Sequence, residues 1–271
     1  MKSLLSVLKG NPLSVALAQA ESAVRNAPSD ADKRAEWVQL LLLYGDWLGA
    51  DAQLQAWQAL APLSTPTTTQ LAEALEAEIQ RDLVLRGESE PAYVTPPPDW
   101  LTDLAESLRA APQRANTLRD RAFTQAPESA GTLTLKGDGG EEKSAAFSWL
   151  ADADSRLGPV CELFLDNRYC WVPFQELASV AFQPPQNVVH LIWAQAMVTW
   201  RNGKQKVCQI PARYPVTEGT DDAHRLGRKT DWLPLNDNGH YTGQGQKTWI
   251  TDEDEHALLT LRRVTFTAVG E

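Results

Sequence analysis

Apolar residues in the first half of this chain recur at helical spacing, and in the second half they recur at every other position. Asn11-Pro12 opens the first clear helical run. Asn caps, Pro takes the first helical position, and Leu13, Ala16, Leu17, Ala20 and Val24 share one face up to Ala27. A brief helix over residues 3–9 precedes it. Pro28-Ser29-Asp30 closes that run and caps the next, in which Trp37, Val38 and Leu40 to Leu43 are apolar almost all round, so a helix over 34–44 is expected between neighbours. Gly45-Asp46 ends it, and Trp47 to Leu60 continues with Leu48, Ala52, Ala56 and Leu60 on one side. Thr65-Pro66 starts a long helix to Arg86 whose inward residues are read as Leu71, Leu75, Ile79, Leu83 and Leu85. Gly87 to Asp99 holds three consecutive prolines and reads as an extended spacer, with Asp99 capping the helical stretch that runs on to Pro127.

Gly10 and Gly45, and likewise Ala27-Pro28 and Ala61-Pro62, bracket helices at a spacing close to the roughly 34-residue period of tetratricopeptide pairs. An irregular helical bundle with coincidental Ala-Pro stops is the other reading. Beyond Gly131 the period becomes two. Thr132 to Leu135 and an apolar run from Ala145 to Leu150 predict strands on either side of a Gly-rich tip at 137–143. The second of these breaks into Asp152-Ala153-Asp154-Ser155-Arg156-Leu157-Gly158-Pro159, a polar turn of residues that bond their own backbone or permit positive φ. Strands follow at 160–165 and 169–174 around Asp166-Asn167, and one helical turn is expected at 175–178. Asn202-Gly203 between two strand-like runs predicts a hairpin with both turn residues at positive φ. The fold class read from this is multidomain α and β. A tetratricopeptide-like helical repeat domain (1–130) is followed by a mostly antiparallel β-rich domain (131–271), with a compact barrel or sandwich expected.

Charge narrows the function. The net charge is −10, and the part up to Ala130 carries 11 basic and 17 acidic residues, so neither half offers the clustered cations that phosphate backbones require. No nucleic-acid role is expected. The basic run Arg225 to Lys229 follows two Asp and reads as a neutralised surface loop. Three cysteines without CxxC spacing fit buried thiols in a reducing compartment. Neither a secretory signal nor an apolar run of membrane-spanning length is legible, so a cytoplasmic location without membrane association is expected.

Asp152 and Asp154 beside Ser155 are the most enzyme-like feature, since two carboxylates at i, i+2 with a hydroxyl suit Mg²⁺ or Ca²⁺. As a calcium loop the run fails, because its sixth position is Leu157 rather than Gly. The other reading is a structural turn in which Asp154 bonds backbone amides and Arg156 pairs with a carboxylate. The four histidines have no metal-ligand spacing, and no GxSxG or Walker loop is present, so no cofactor is implied. Gly243-Gln244-Gly245-Gln246 reads as a tight turn between strands. Of the ten tryptophans, most suit core filling, and Trp37 and Trp47 are candidates for aromatics in a helix groove.

The run Trp149 to Pro159, then Tyr169 to Phe174, Pro211 to Pro215, Lys229 to Trp232 and Gly243 to Gln246, resembles the ImpE/TagJ (SciE-type) family of type VI secretion accessory proteins. Leu150 and Cys170 depart from the Ile and second aromatic that the pattern favours. The resemblance implies a non-enzymatic cytoplasmic adaptor. Its partners would be the small subunit of the contractile sheath and the AAA+ ATPase that disassembles the sheath, with no family catalytic residues to carry over. It makes Asp152, Asp154, Ser155 and Arg156 a brace or a partner contact. The rival is a metal-dependent enzyme built on Asp152 and Asp154.

Overall fold

The computed structural model describes residues 8, 11–137, 139–236 and 239–268. The helix expected over 3–9 and the Gly10 of the repeat lie outside them, apart from Leu8. Helices α1 (Leu13–Asn26), α2 (Ala31–Tyr44), α3 (Trp47–Leu60) and α4 (Thr65–Leu85) come first, and α5 (Asp99–Ser107) and α6 (Pro112–Gln125) follow an extended stretch. Asp30 caps α2 by accepting from the amides of Asp32 and Lys33. Gly45 ends α2 at φ 89°, where a side chain would be strained, and Asp46 caps α3. The start of α1 departs from the expected Asn11 cap: Pro12 holds the cap position, and the free amide of Leu13 donates to Asp222 Oδ2 at 2.7 Å, from 209 residues away.

In α4 Leu71, Leu75 and Leu85 are inward as the sequence suggests, whereas Ile79 and Leu83 are not fully buried and polar residues join the buried stripe. Ile79 is exposed, and Glu78 and Arg81 are buried beside Leu71, Leu75, Val84 and Leu85. Asp99 is the first residue of α5 and makes no side-chain cap, because Pro98 occupies the cap position. The proline-rich stretch contributes β1 (Ala92–Tyr93), which pairs in parallel with a strand of the second half.

That second half is built from β2 (Gly131–Lys136), β3 (Glu142–Phe147), β4 (Leu150–Asp152), β5 (Val160–Leu165), β6 (Arg168–Pro173), β7 (Leu177–Phe182), β8 (Trp193–Trp200), β9 (Gln205–Pro211), β10 (Thr230–Pro234), β11 (Tyr241–Gly245), β12 (Thr248–Thr251), β13 (Glu255–Ala257) and β14 (Leu261–Phe266). A short helix, α7 (Asp222–Arg225), sits between β9 and β10. Nine of the described strands form one sheet in the order β1-β6-β5-β9-β8-β7-β14-β2-β3, antiparallel except at β1. A three-stranded sheet β13-β12-β4 and the pair β10-β11 complete the β layer. The chain is therefore mixed α and β, with helices first and a large, mostly antiparallel sheet after.

The apolar run 145–150 is two strands, not one. Ser148 and Trp149 turn the chain out of the large sheet so that β4 joins β12. The expected turn at 175–178 is a 3₁₀ turn at Phe174–Glu176. In the β8–β9 hairpin only Gly203 is at positive φ, because the loop spans Arg201 to Gly203 and Lys204 N donates to Asn202 Oδ1. Asp166 and Asn167 do take positive φ at the two-residue β5–β6 turn.

Strands β5 and β6 are buried on both faces, which explains their unbroken apolar sequence. Phe164, Tyr169 and Trp171 face the helices, and with Leu41, Leu75, Trp100 and Trp193 they form one hydrophobic cluster that runs across both halves of the chain. Cys161, Leu163, Leu165, Cys170 and Val172 face the other way, into a second cluster with Trp249, Phe174 and Phe266. The helices therefore cover one face of the large sheet, and β12 with β4 covers part of the other.

Candidate functional site

The polar turn after β4 is held by two successive loops of the kind short acidic side chains favour. Asp152 Oδ1 accepts from the amide of Asp154 at 2.9 Å, and Asp154 Oδ1 accepts from the amide of Arg156 at 2.9 Å. Both aspartates are buried. Arg156 closes on Asp154 through Nε at 2.9 Å and Nη2 at 2.7 Å, a bidentate charge-assisted pair. Asp154 Oδ2 also accepts from Thr242 Oγ1 and from the amide of Gly243, each at 3.0 Å. Ser155 bonds β11 twice, its amide donating to Tyr241 O at 2.8 Å and its hydroxyl accepting from Tyr241 N at 3.0 Å. Gly158, at φ 52°, lets α6 approach: a Cβ there would lie 2.4 Å from the Phe123 ring.

From Asp152 the polar contacts continue inward. Its Oδ2 lies 2.6 Å from Lys247 Nζ, and that ammonium lies 2.5 Å from Glu162 Oε2. Glu162 also takes both arms of Arg81, Nε at 2.7 Å and Nη2 at 3.1 Å, together with the Tyr169 hydroxyl at 2.6 Å. Arg81 Nη1 reaches Glu78 Oε1 at 3.0 Å, and Glu78 Oε2 accepts from Trp193 Nε1 at 2.9 Å. Glu78, Arg81, Glu162, Lys247 and Asp152 are all at most 5 % exposed, so a continuous ionic chain joins α4 to the sheet and the sheet to the Asp turn.

One cation shared by two carboxylates sets the electrostatics. Burial raises the affinity of Glu162 for a proton, but the Arg81 and Lys247 charges overcome it and hold the carboxyl well below its usual range. Asp152 has only its share of Lys247, and burial, helped by Glu162 and Asp154, pushes it up to about 6. Asp154 stays below its ordinary value: burial opposes ionisation, and Arg156 with the amides prevails.

Other sequence blocks converge around this chain. Tyr214 donates to Asp152 Oδ1 at 3.0 Å, and a Cβ on Gly243 would lie 2.2 Å from its ring. That close approach, with φ 93° at Gly245, is why glycines recur there. The segment is strand β11 paired with β10, not the tight turn its composition implied. Arg213 is buried and reaches the carbonyls of Leu42 and Leu43 at 3.0 and 2.6 Å, where the end of α2 presents partial negative charge. Burial, with no carboxylate among the described residues paired to it, brings Arg213 down to about 9. Arg225, expected in a surface loop, is buried and lies over the Tyr44 ring at 4.3 Å.

The structure thus gathers Asp152, Asp154, Ser155 and Arg156 at one corner and leaves Trp37 and Trp47 elsewhere. Trp47 stacks on Trp193 with centroids 6.2 Å apart, and Trp37 packs half-buried against the helix-side core. Trp57 lines a cleft between helices and sheet with Gln39, Gln70, Leu71 and Gln195. Glu78, Arg81, Glu162 and Lys247 were missed in the sequence. The available signal was a lone Glu inside the apolar run Val160 to Leu165. A cleft of about 340 Å³ borders the Asp turn, lined by Phe123, Pro127, Trp149, Ala153 and Ile250 among others. Among the described residues, no group of three or more His, Cys, Asp or Glu side chains is arranged to hold a metal ion. No helix among them is long and apolar enough to cross a membrane.

The family model for ImpE protein matches residues 144–265, which span the Asp turn, Glu162 and Lys247. The type VI secretion system accessory component TagJ of Pseudomonas aeruginosa is 37 % identical over 265 residues, covering 96 % of this chain and 89 % of that protein. The crystal structure of protein VPA1032 from Vibrio parahaemolyticus superposes with a TM-score of 0.83 at 25 % identity, over 95 % of this chain and 94 % of that one. Motif blocks, helical first half and sheet agree with a relationship that runs nearly end to end, and the chain belongs to the ImpE/TagJ family.

Proposed function

We propose that this protein is a non-enzymatic accessory component of a type VI secretion system, acting in the cytoplasm by binding the small subunit of the contractile sheath. The observation that carries this reading is the 37 % identity to TagJ along 96 % of the chain. The geometry of the Asp turn supports the non-catalytic part. Asp152 and Asp154 are consumed by Lys247, Tyr214, Arg156, Thr242 and backbone amides, and they serve as an internal brace. A metal-dependent enzyme would need these oxygens free for an ion and a substrate.

Helices α1–α2 and α3–α4 act as tetratricopeptide-like pairs of a helical unit (1–130) set on the β-rich unit (131–271). The docking groove for an amphipathic sheath helix is the cleft edged by Trp57, Gln70 and Leu71, which continues past Phe164 and Val207. Trp37 and Trp47 hold the groove's helices from behind. Through the same complex the protein links the sheath to its AAA+ disassembly ATPase. Co-purification with the small sheath subunit tests this. The full chain retains that subunit, and Val207→Glu, at a 61 % exposed position, weakens retention at least about tenfold without altering the fold. Failure of the full chain to retain either the small sheath subunit or the ATPase ends the proposal.

A further inference from the structure

A further cavity, of about 200 Å³, lies between the end of α4, α5, α6 and residues Leu235 and Asn236. Two guanidinium groups, Arg119 and Arg156, line it with Ser107 and Asn116, and Leu85 and Leu235 form apolar wall. Pro112, Ala115, Asn116 and Arg119 follow i, i+3, i+4, i+7 spacing, so one face of α6 forms a whole side of the cavity. Pro112 and Leu235, at its rim, are exposed to solvent.

Arg119 is the unusual member. It is 3 % exposed, yet its Nε has no hydrogen-bond partner among the described residues. Its one side-chain hydrogen bond among the described residues is from Nη2 to Ser107 Oγ at 3.4 Å, a hydroxyl already donating to Leu104 O at 2.6 Å. Among the described residues no carboxylate pairs with it. Asp154 is held bidentately by Arg156, and Asp120 lies 2.9 Å from His240 Nε2. The contrast with Arg81 is direct: that side chain, 1 % exposed, contacts Glu78 and Glu162 through three nitrogens. A buried charge without a partner is costly, and native structures normally supply one. Burial accordingly brings Arg119 below its ordinary range, with Asp154 and Asp120 only partly opposing.

We infer that this cavity is an anion-binding site, in which Arg119 takes the oxyanion of a small ligand whose short apolar body rests on Leu85 and Leu235, beside Arg156, whose charge Asp154 already balances. A planar guanidinium suits a carboxylate or a phosphoryl group equally, and the two are told apart by experiment.

Thermal melts of the full chain in phosphate, acetate and butyrate, each matched in ionic strength to sodium chloride, test it. Binding to the folded state raises Tm by about 5 °C near saturation. A rise with phosphate alone identifies a phosphoryl ligand, and a larger rise with butyrate than with acetate identifies a carboxylate with an apolar tail. Arg119→Met removes the unpaired charge, so it melts at or above the wild type in chloride and loses the anion response. Arg119→Lys keeps the charge without the fork and weakens the response at least about tenfold. No anion raising Tm above chloride, a response surviving in Arg119→Met, or a lower melting point for that variant in chloride would each overturn the site.

Discussion

The two faces of β5 solve burial differently. On one face Cys161, Leu163 and Leu165 pack into a wholly apolar cluster with Trp249 and Phe174. On the other, Phe164 is joined by Glu162, whose carboxylate takes Arg81 of α4 together with Lys247 and the Tyr169 hydroxyl. The apolar face is non-directional and tolerates repacking that conserves volume. The ionic face is geometric: each charge has one place where its partners lie, so it sets the angle and register at which α4 meets the sheet. A buried ion network contributes little net stability over an apolar replacement but costs heavily when one member is removed. The comparison assigns stability to one face and registry to the other.

Breaking the ionic face gives the largest effect. Glu162→Ala takes the bidentate partner from Arg81 and one of two carboxylates from Lys247, leaves the Tyr169 hydroxyl without its acceptor, and costs about 3–5 kcal/mol in urea unfolding. Glu78→Gln/Arg81→Met/Glu162→Leu, which removes Arg81 together with both of its carboxylates, is less destabilised than Glu162→Ala alone, because Lys247 keeps Asp152 and the amide at 78 still accepts from Trp193. Leu163→Ala on the apolar face costs about 2–4 kcal/mol as a cavity, and no second substitution on the helix side restores it.

The shared lysine gives a pH signature. Folded Asp152 keeps its proton up to about pH 6, whereas the unfolded chain releases it near 3.8. Between those values the folded state binds more protons, so stability from this group is present at low pH and is lost as pH rises toward 6. Relative to Asp152→Asn, the wild type loses about 2 kcal/mol from pH 4 to pH 6.5, measured by denaturant titration at each pH. Glu162 and Asp154, whose values are depressed, act with the opposite sign and only below their ordinary range, in both proteins alike.

Gly243→Ala sharpens the point at smaller scale. Its Cβ would meet the Tyr214 ring at 2.2 Å, pushing that ring off Asp152, and it lowers stability by about 1–3 kcal/mol in a thermal melt. At the bottom of the range, Leu63→Ser at a 98 % exposed position shifts stability by less than about 0.5 kcal/mol.

Much of the local architecture could be read directly. Asp30, Gly45 and Asp46 mark helix ends with their own side chains and backbone, and α3 begins and ends where periodicity puts it. The family could also be read, since its blocks are contiguous runs. Contacts across long separations were illegible. Asp222 caps α1 from the other half of the chain, so Asn11 looked like the cap. The inward side of α4 was read only in part, through Leu71, Leu75 and Leu85, because Glu78 and Arg81 look solvent-facing until Glu162 and Trp193 are set against them. Gly243 and Gly245 signalled a turn by composition, yet they make room in a strand for Tyr214 and for the carbonyl of Lys229.

The sequence by itself determined where most helices and strands lie, how α2 and α3 are capped, that the Asp turn is a turn, and to which family the chain belongs. These follow from near-neighbour energetics: side-chain spacing, positive φ at glycine, and short polar groups bonding adjacent backbone. Only the tertiary structure decided that Asp152 ends an ionic chain reaching α4, and that Arg119 is buried without a counter-charge. A charged residue's burial depends on partners brought from distant segments, and nothing within a few residues of it records whether they arrive.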